Sequence, residues 1–212
     1  MKMNTIQRCF LIIIFLFLYF TCAITQNVSA DPQYVIKEDV TGVVPKPSEG
    51  KAMVVFIRSA RYSTGYTSVR IYDGEKLIGL LSSDTYFAYE TNPGKHLFGG
   101  TGTWSEYAFL EGELLPGKTY YILVKVGQGV FGGTVFGFAQ RFIVGLYPIK
   151  PKTRDWRSRE VWLSECSLIE MTEEAYKWDR ENLEKIKVRR EKYYEEWLKE
   201  TKKHVINPED GI

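Results

Sequence analysis

The stretch that decides the fold is LPGKTYYILVKV at residues 115–126, where a turn leads directly into an apolar segment. Proline at the second position and glycine at the third position of LPGK fit a type II β-turn, whose third residue needs a positive φ angle. The residues that follow are rich in aromatic and β-branched side chains, which is typical of a strand. The same turn chemistry recurs in NPGK at 92–95, and DG at 73–74 suits a two-residue hairpin. These turns predict an antiparallel sheet.

Strand-like segments and turns surround this stretch, and 17 of the 18 glycines precede residue 150. Eight candidate strands cover 52–58, 67–72, 76–82, 86–91, 96–100, 106–110, 119–126 and 141–147. Their spacing predicts a mainly β fold over residues 51–150, an antiparallel β-sandwich or small barrel of seven to eight short strands. Residues 31–50 contain three prolines and little periodicity. They are expected to form an extended leader, although Tyr34–Ile36 could add to a sheet edge.

Residues 151–212 predict a helical C-terminal extension with one long amphipathic helix. A short helix is expected over 155–165, and 167–171 is expected to be extended. Thr172 offers an N-cap, followed by acidic residues in the first turn, and nothing interrupts a helix as far as Lys203. At 100° per residue, an apolar stripe of this helix contains Trp178, Ile186, Tyr193 and Trp197.

The length of this stripe suggests a protein-interaction site. A helix of about 31 residues is roughly 45 Å long, which exceeds the width of a β-domain of this size. Its distal part, from about Arg189 onward, is therefore a candidate surface for a second copy of the chain or for an envelope protein. The alternative is that the whole stripe packs on its own domain.

The first thirty residues have the pattern of a signal peptide. Lys2 and Arg8 precede an apolar run from Phe10 to Ile24, and small side chains at Val28 and Ala30 fit a cleavage site before Asp31. The sequence therefore predicts export to the periplasm, the cell envelope or the extracellular space. Two alternatives stay open, a retained membrane anchor and lipid attachment at Cys22. Membrane contact is expected only if the N-terminal segment is retained.

Charge and composition exclude several classes of partner and cofactor. Residues 31–212 carry 26 basic and 26 acidic side chains, so no basic excess favours nucleic acid. Cys166 is the only cysteine after the apolar run, which leaves neither a disulfide framework nor a cysteine-rich metal site. GQGVFG at 127–132 matches a dinucleotide fingerprint, but a poor helix former follows it. We expect a glycine-rich loop there, no nucleotide, no metal and no cofactor.

The sequence also gives little support to catalysis. His96 follows a Pro-Gly turn, and His204 lies on a charged helix end. We expect His96 to be a hydrogen-bonded structural residue, Cys166 to be buried, and the protein not to be an enzyme. A hydrolase acting on an envelope polymer is an alternative that would need two close carboxylates from Asp84, Glu90, Glu106, Glu111 and Glu113. A second alternative is a glycan- or peptidoglycan-binding module. Its possible aromatic platform consists of Trp104 and Tyr107, with Tyr86 and Tyr89 beside them.

The order of these parts resembles a known family. KAMVVFIR at 51–58, DG at 73–74, YF at 86–87, NPGKH at 92–96 and LPGKTYY at 115–121 together resemble the bacterial envelope family listed as domain of unknown function 2846. The hairpin followed by a Pro-Gly turn is also similar to PEGA-type β-modules. The resemblance covers about residues 50–147 and implies an exported β-domain without an assigned activity. The expected function is that of a non-catalytic envelope or secreted module for protein interaction or structural support.

Overall fold

The computed structural model describes residues 33–63, 68–102, 105–130 and 140–212. The predicted signal peptide, Trp104 and the end of the 127–132 glycine motif lie outside these residues. Eleven strands are described: β1 (Tyr34–Thr41), β2 (Ala52–Arg58), β3 (Val69–Asp73), β4 (Lys76–Leu81), β5 (Thr85–Thr91), β6 (Gly94–Gly102), β7 (Ala108–Leu114), β8 (Thr119–Val130), β9 (Gln140–Pro148), β10 (Ser167–Met171) and β11 (Val205–Ile206). Two helices follow β9: α1 (Arg154–Glu165) and α2 (Glu173–Leu198). Short 3₁₀ turns cover Ala60–Tyr62 and Pro208–Asp210.

The strands form two mixed sheets. The six-stranded sheet has the order β1-β10-β5-β2-β8-β9, and the five-stranded sheet has the order β11-β7-β6-β3-β4. Three pairings are parallel, namely β10 with β5, β2 with β8 and β11 with β7. A mainly β chain with a long C-terminal helix is therefore confirmed. The predicted number of strands was too low, and the sheets are not purely antiparallel.

Three glycines of the predicted turns have the positive φ angle that the sequence predicts, although Gly94 is already the first residue of β6. The φ angle is +126° at Gly94, +73° at Gly117 and +60° at Gly74, a region that side chains with a Cβ atom rarely enter. The Gly117 amide also donates a hydrogen bond of 2.7 Å to the carbonyl oxygen of Lys51. That bond fixes the turn against the start of β2, the strand at the centre of the six-stranded sheet.

Segments outside residues 51–150 complete both sheets. β1 pairs with β10 in antiparallel register from Tyr34↔Met171, so eight residues of the predicted leader form a strand at the sheet edge. β10 joins β5 through only two parallel pairs, and β11 joins β7 through two. The predicted boundary at residue 150 therefore does not separate a β-domain from a helical extension, because the C-terminal part supplies strands to each sheet.

The main core lies between the two sheets. Phe56 of β2 stacks on Phe87 of β5 at 5.0 Å between ring centroids and meets the edge of Phe98 from β6 at 5.5 Å. A second cluster lies under α1, where Trp162, Leu163 and Cys166 are buried against the other face of β2. Every residue of β2 is buried, as expected for a strand covered on both faces.

Helix α2 covers the outer face of the five-stranded sheet. In β3, Ile71 belongs to the core between the sheets, whereas the adjacent Tyr72 packs under α2, because successive strand residues point to opposite faces. Thr172 occupies the predicted N-cap position. The helix ends at Leu198 instead of Lys203, which gives it 26 residues and a length of about 39 Å.

Candidate functional site

A cavity of about 300 Å³ lies between α2 and the outer face of the five-stranded sheet. One wall comes from β3, β6 and the start of β7, and the other comes from the middle of α2. The lining residues are Arg70, Tyr72, Thr101, Gly102, Tyr107, Trp178, Asn182, Lys185, Ile186 and Arg189. Within the part of the chain that the structure describes, the lining contains no acidic residue, no histidine and no cysteine.

Three side chains of the cavity wall carry a buried polar atom without a hydrogen-bond partner among the described residues. These atoms are Arg70 Nε, Thr101 Oγ1 and the Tyr107 hydroxyl oxygen. The exposed fractions of the three residues are 9%, 6% and 5%. Leaving such a group unpaired costs about 1–3 kcal/mol, and folded proteins contain few of them. All three residues line one cavity, so a molecule bound there is a candidate partner for these atoms once a side-chain movement exposes them.

Arg70 is held in place by an aromatic ring and an amide. Its guanidinium carbon lies 3.6 Å from the ring centroid of Trp178, which is close enough for a cation–π interaction. Nη2 donates a hydrogen bond of 2.6 Å to Gln33 Oε1. Burial lowers the pKa of Arg70, and the nearby Tyr72 and Asp179 act in the opposite direction. The buried Nε has no hydrogen-bond partner among the described residues.

The two tyrosines of the cavity differ in their hydrogen bonding. The Tyr72 hydroxyl donates to Asp179 Oδ1 at 2.9 Å. Burial, followed by the charge of Asp179, raises the pKa of Tyr72. Burial likewise raises the pKa of Tyr107, although Arg190 and Arg189 act against it. Both phenols are neutral at physiological pH, and the Tyr107 hydroxyl has no hydrogen-bond partner among the described residues.

The helical side of the cavity is positively charged. Lys185 and Arg189 are four residues apart, which places them on one face of α2, and both line the cavity. Neither side chain has an ion-pair partner among the described residues. By contrast, Lys187 and Arg190 lie 3.9 Å and 3.7 Å from carboxylate oxygens of Glu75. The cavity thus combines aromatic and aliphatic walls with unneutralised cations.

The predicted interaction stripe faces the chain's own sheet. Trp178 and Ile186 line the cavity, and Tyr193 is half-buried in the apolar cluster under α2. Trp197 is only 6% exposed and lies 5.6 Å from the ring of Phe109. This corrects the prediction that the distal stripe is free for docking, since α2 lies along the sheet and Trp197 packs onto β7.

The predicted glycan platform is not exposed where the structure describes it. Tyr107 is buried, with its ring stacked 4.9 Å from that of Phe109, so its ring face cannot receive a sugar from solvent. Trp104 lies outside the described residues. Tyr86 is buried as well, and its hydroxyl donates to the carbonyl oxygen of Val43 at 3.0 Å.

His96 has a structural environment. Its Nδ1 lies 2.8 Å from Asp73 Oδ2, and its Nε2 lies 2.9 Å from the carbonyl oxygen of Asn92. Because both partners are acceptors, a ring that donates to both is protonated. The hydrogen bond with Asp73 raises the pKa of His96. This matches the expectation of a hydrogen-bonded structural histidine.

Two of the candidate carboxylates and the one described cysteine have local structural environments. Asp84 accepts a hydrogen bond from the Ala60 amide, and Glu90 accepts one from the Ser48 amide, each at 2.7 Å. Burial raises the pKa of the Cys166 thiol to about 12, which suppresses its nucleophilic form. In the described part of the chain, no group of three or more His, Cys, Asp and Glu side chains is placed to hold a metal ion.

The sequence analysis named part of each wall of the cavity. Trp178 and Ile186 belong to the predicted stripe and Tyr107 to the predicted platform, whereas Arg70 and Thr101 were not among the candidate residues. One signal was present: Arg70 and Tyr72 lie two residues apart in a predicted strand, which places both on one face.

The remaining observations concern membranes and known proteins. No helix among the described residues is both long and apolar enough to cross a bilayer. No known protein-family model matches the chain, and no curated protein is significantly similar to it.

Proposed function

We propose that this chain is a non-catalytic, exported β-sandwich module that binds a ligand in the cavity beneath α2. The single observation that carries the proposal is that three residues lining this cavity, Arg70, Thr101 and Tyr107, each hold a buried polar atom without a hydrogen-bond partner among the described residues. Export rests on the signal-peptide pattern of residues 1–30. The resemblance to an envelope family supports the same location.

The chemistry of the lining favours binding over catalysis. General acid–base catalysis works best with groups whose pKa lies near the working pH. The ionisable side chains of the cavity are arginines, a lysine and tyrosines, and burial raises the pKa of both tyrosines further. The two tyrosines therefore stay neutral at physiological pH, which suits hydrogen bonding to a ligand better than proton transfer.

A second candidate is protein interaction through the outward face of α2. Val188 is 67% exposed there, in a shallow depression that Lys192 and Tyr193 also line. A second copy of the chain or an envelope protein would contact this face. Sedimentation of intact protein and of a Val188→Glu variant tests it. A monomer in both cases, with no co-purifying envelope protein, would remove this candidate.

The binding function can be tested with a variant that fills the cavity. Ile186 lines the cavity, and Ile186→Trp would occupy part of its volume. Val161→Trp is the matched control, because Val161 is 46% exposed on α1. Residues 31–212 are screened by ligand-observed NMR against a mixture of small organic acids, amines and neutral aromatic compounds.

The proposal expects at least one class of compound to bind the wild type and Val161→Trp, and not Ile186→Trp. Each bound compound should be recovered chemically unchanged. Absence of binding by every class, or binding that survives Ile186→Trp, would refute the cavity as the binding site. Conversion of a bound compound would refute the non-catalytic assignment.

A further inference from the structure

We propose that the cavity beneath α2 recognises a small organic carboxylate, with its carboxylate toward Lys185 and Arg189 and its apolar body against Trp178 and Ile186. This inference rests on the proposed function, because it names the ligand class of the same cavity.

The sign of the ligand's charge follows from the charges of the lining. Arg70, Lys185 and Arg189 are cationic, and none of the described residues that line the cavity is acidic. The Asp179 carboxylate acts on the charge of Arg70 and accepts the Tyr72 hydroxyl. A ligand cation would meet uncompensated positive charge, whereas an anion would neutralise Lys185 and Arg189 without displacing an existing ion pair.

The donors suit a carboxylate. Arg70 Nε is a donor, and the hydroxyls of Thr101 and Tyr107 can donate or accept, all three being unpartnered among the described residues. Arg189 and Arg190 both act on the phenol of Tyr107, so the basic side chains and this hydroxyl are neighbours. A carboxylate has two oxygens with about four acceptor sites, which this set of donors can satisfy after small side-chain adjustments.

The walls and the volume limit the rest of the ligand. Aromatic and aliphatic groups of Tyr72, Trp178 and Ile186 form much of the lining. A cavity of about 300 Å³ lies at the small end of ligand sites in proteins. A single ring or a short chain attached to one carboxylate fits this space. A phosphate dianion would need more donors and would lose a larger hydration shell among apolar walls.

The test uses three probes with one apolar body: 3-phenylpropionate, 3-phenylpropionamide and 3-phenylpropylamine. Their dissociation constants for residues 31–212 are measured by isothermal titration calorimetry at pH 7 and low salt. The acid is expected to bind at least tenfold more tightly than the amide, and the amine should be the weakest. Arg189→Gln and Lys185→Gln should each weaken the acid about fivefold or more, and leave the amide unchanged.

Lys199→Gln is the matched control, because it removes one positive charge from the end of the same helix, where Lys199 is exposed. It should leave the affinity for the acid within about twofold. Circular dichroism verifies that all three variants are folded.

The outcomes separate this inference from the function on which it rests. Equal or tighter binding of the amide or the amine, lost in Ile186→Trp, would overturn the carboxylate assignment and retain the cavity as a binding site. Tighter binding of 2-phenylethyl phosphate than of 3-phenylpropionate would also overturn the carboxylate assignment and retain the cavity as a binding site. If none of the three probes binds, the carboxylate inference fails. The proposed binding function is then decided by the NMR screen of the compound mixture.

Discussion

Replacement of each cavity tyrosine by phenylalanine should have opposite effects on stability. Tyr72→Phe removes a hydroxyl that donates to Asp179 at 2.9 Å, and Tyr107→Phe removes a hydroxyl without a partner among the described residues. Both side chains belong to the same apolar cluster, and their exposed fractions are 1% and 5%. The pair therefore compares the same chemical change in nearly the same surroundings.

The magnitudes follow from these environments. A hydrogen bond to a charged acceptor contributes about 1.5–3 kcal/mol, so Tyr72→Phe should lower the free energy of unfolding by that amount. Tyr107→Phe relieves a desolvation cost of about 1–3 kcal/mol and leaves a small void that costs a few tenths of a kcal/mol. It should therefore raise the free energy of unfolding, or leave it unchanged at the lower limit.

Urea denaturation followed by circular dichroism measures both changes in the free energy of unfolding. The unfolding midpoints can be compared when the free energy of unfolding falls with urea concentration at the same slope in each protein. If Tyr107→Phe destabilises the protein as much as Tyr72→Phe, the Tyr107 hydroxyl has a structural partner. In that case the argument for an unsatisfied group at the cavity is refuted.

Three further predictions concern other parts of the fold. The hydrogen bond with Asp73 raises the pKa of His96 in the folded state. The protonated ring therefore stabilises the protein fully at a pH below about 6.5, the pKa of histidine in the unfolded chain. This stabilisation is lost as the pH rises through the pKa of His96 in the folded protein. The stability difference between wild type and His96→Gln should therefore shrink from acidic to alkaline pH in urea titrations, and a constant difference would contradict the protonated assignment. Gly117→Val should lower the free energy of unfolding by about 1–3 kcal/mol, because Gly117 has a positive φ angle. Gly127→Val is the control and should lower the free energy of unfolding by less, since nothing lies within 4 Å of its added Cβ. Equal decreases in the two variants would refute the turn argument. Cys166, whose thiol pKa burial raises to about 12, should resist iodoacetamide at pH 8 in native protein and react in urea; rapid native labelling would show that the thiol is accessible.

Local chemistry was sufficient to predict the strands that follow strong turns. β2 lies over the residues predicted for it, and β8 begins at the predicted residue after the LPGK turn. In these segments the turn residues and the apolar run both predict a strand with the same boundaries, so the strand can be predicted without knowing which strand pairs with it.

The edge strands were harder to predict from the sequence because each one forms only by pairing with residues that lie far away in the chain. Val35 and Ile36 of β1 are substantially exposed, so this segment lacks the alternation that marks a half-buried strand. Its partner, β10, lies more than a hundred residues further along the chain. β11 has only two residues and exists because the chain returns past β7 after α2.

The cavity was predictable only in part for the same reason. Helical periodicity placed Trp178 and Ile186 on one stripe, and strand alternation could place Arg70 and Tyr72 on one face. Neither pattern specifies that these two faces meet. The prediction of an unpartnered distal stripe failed because the sequence alone did not show that β7 supplies Phe109 to cover Trp197.

The most direct test of the binding cavity is an NMR titration of ¹⁵N-labelled residues 31–212 with 3-phenylpropionate, observed at the indole N–H groups of the tryptophans. The indole of Trp178, which lines the cavity, should shift progressively and saturate. Those of Trp156 and Trp162, which lie in the cluster under α1, should stay in place. A saturating shift of Trp156 or Trp162 with Trp178 unchanged would contradict the account.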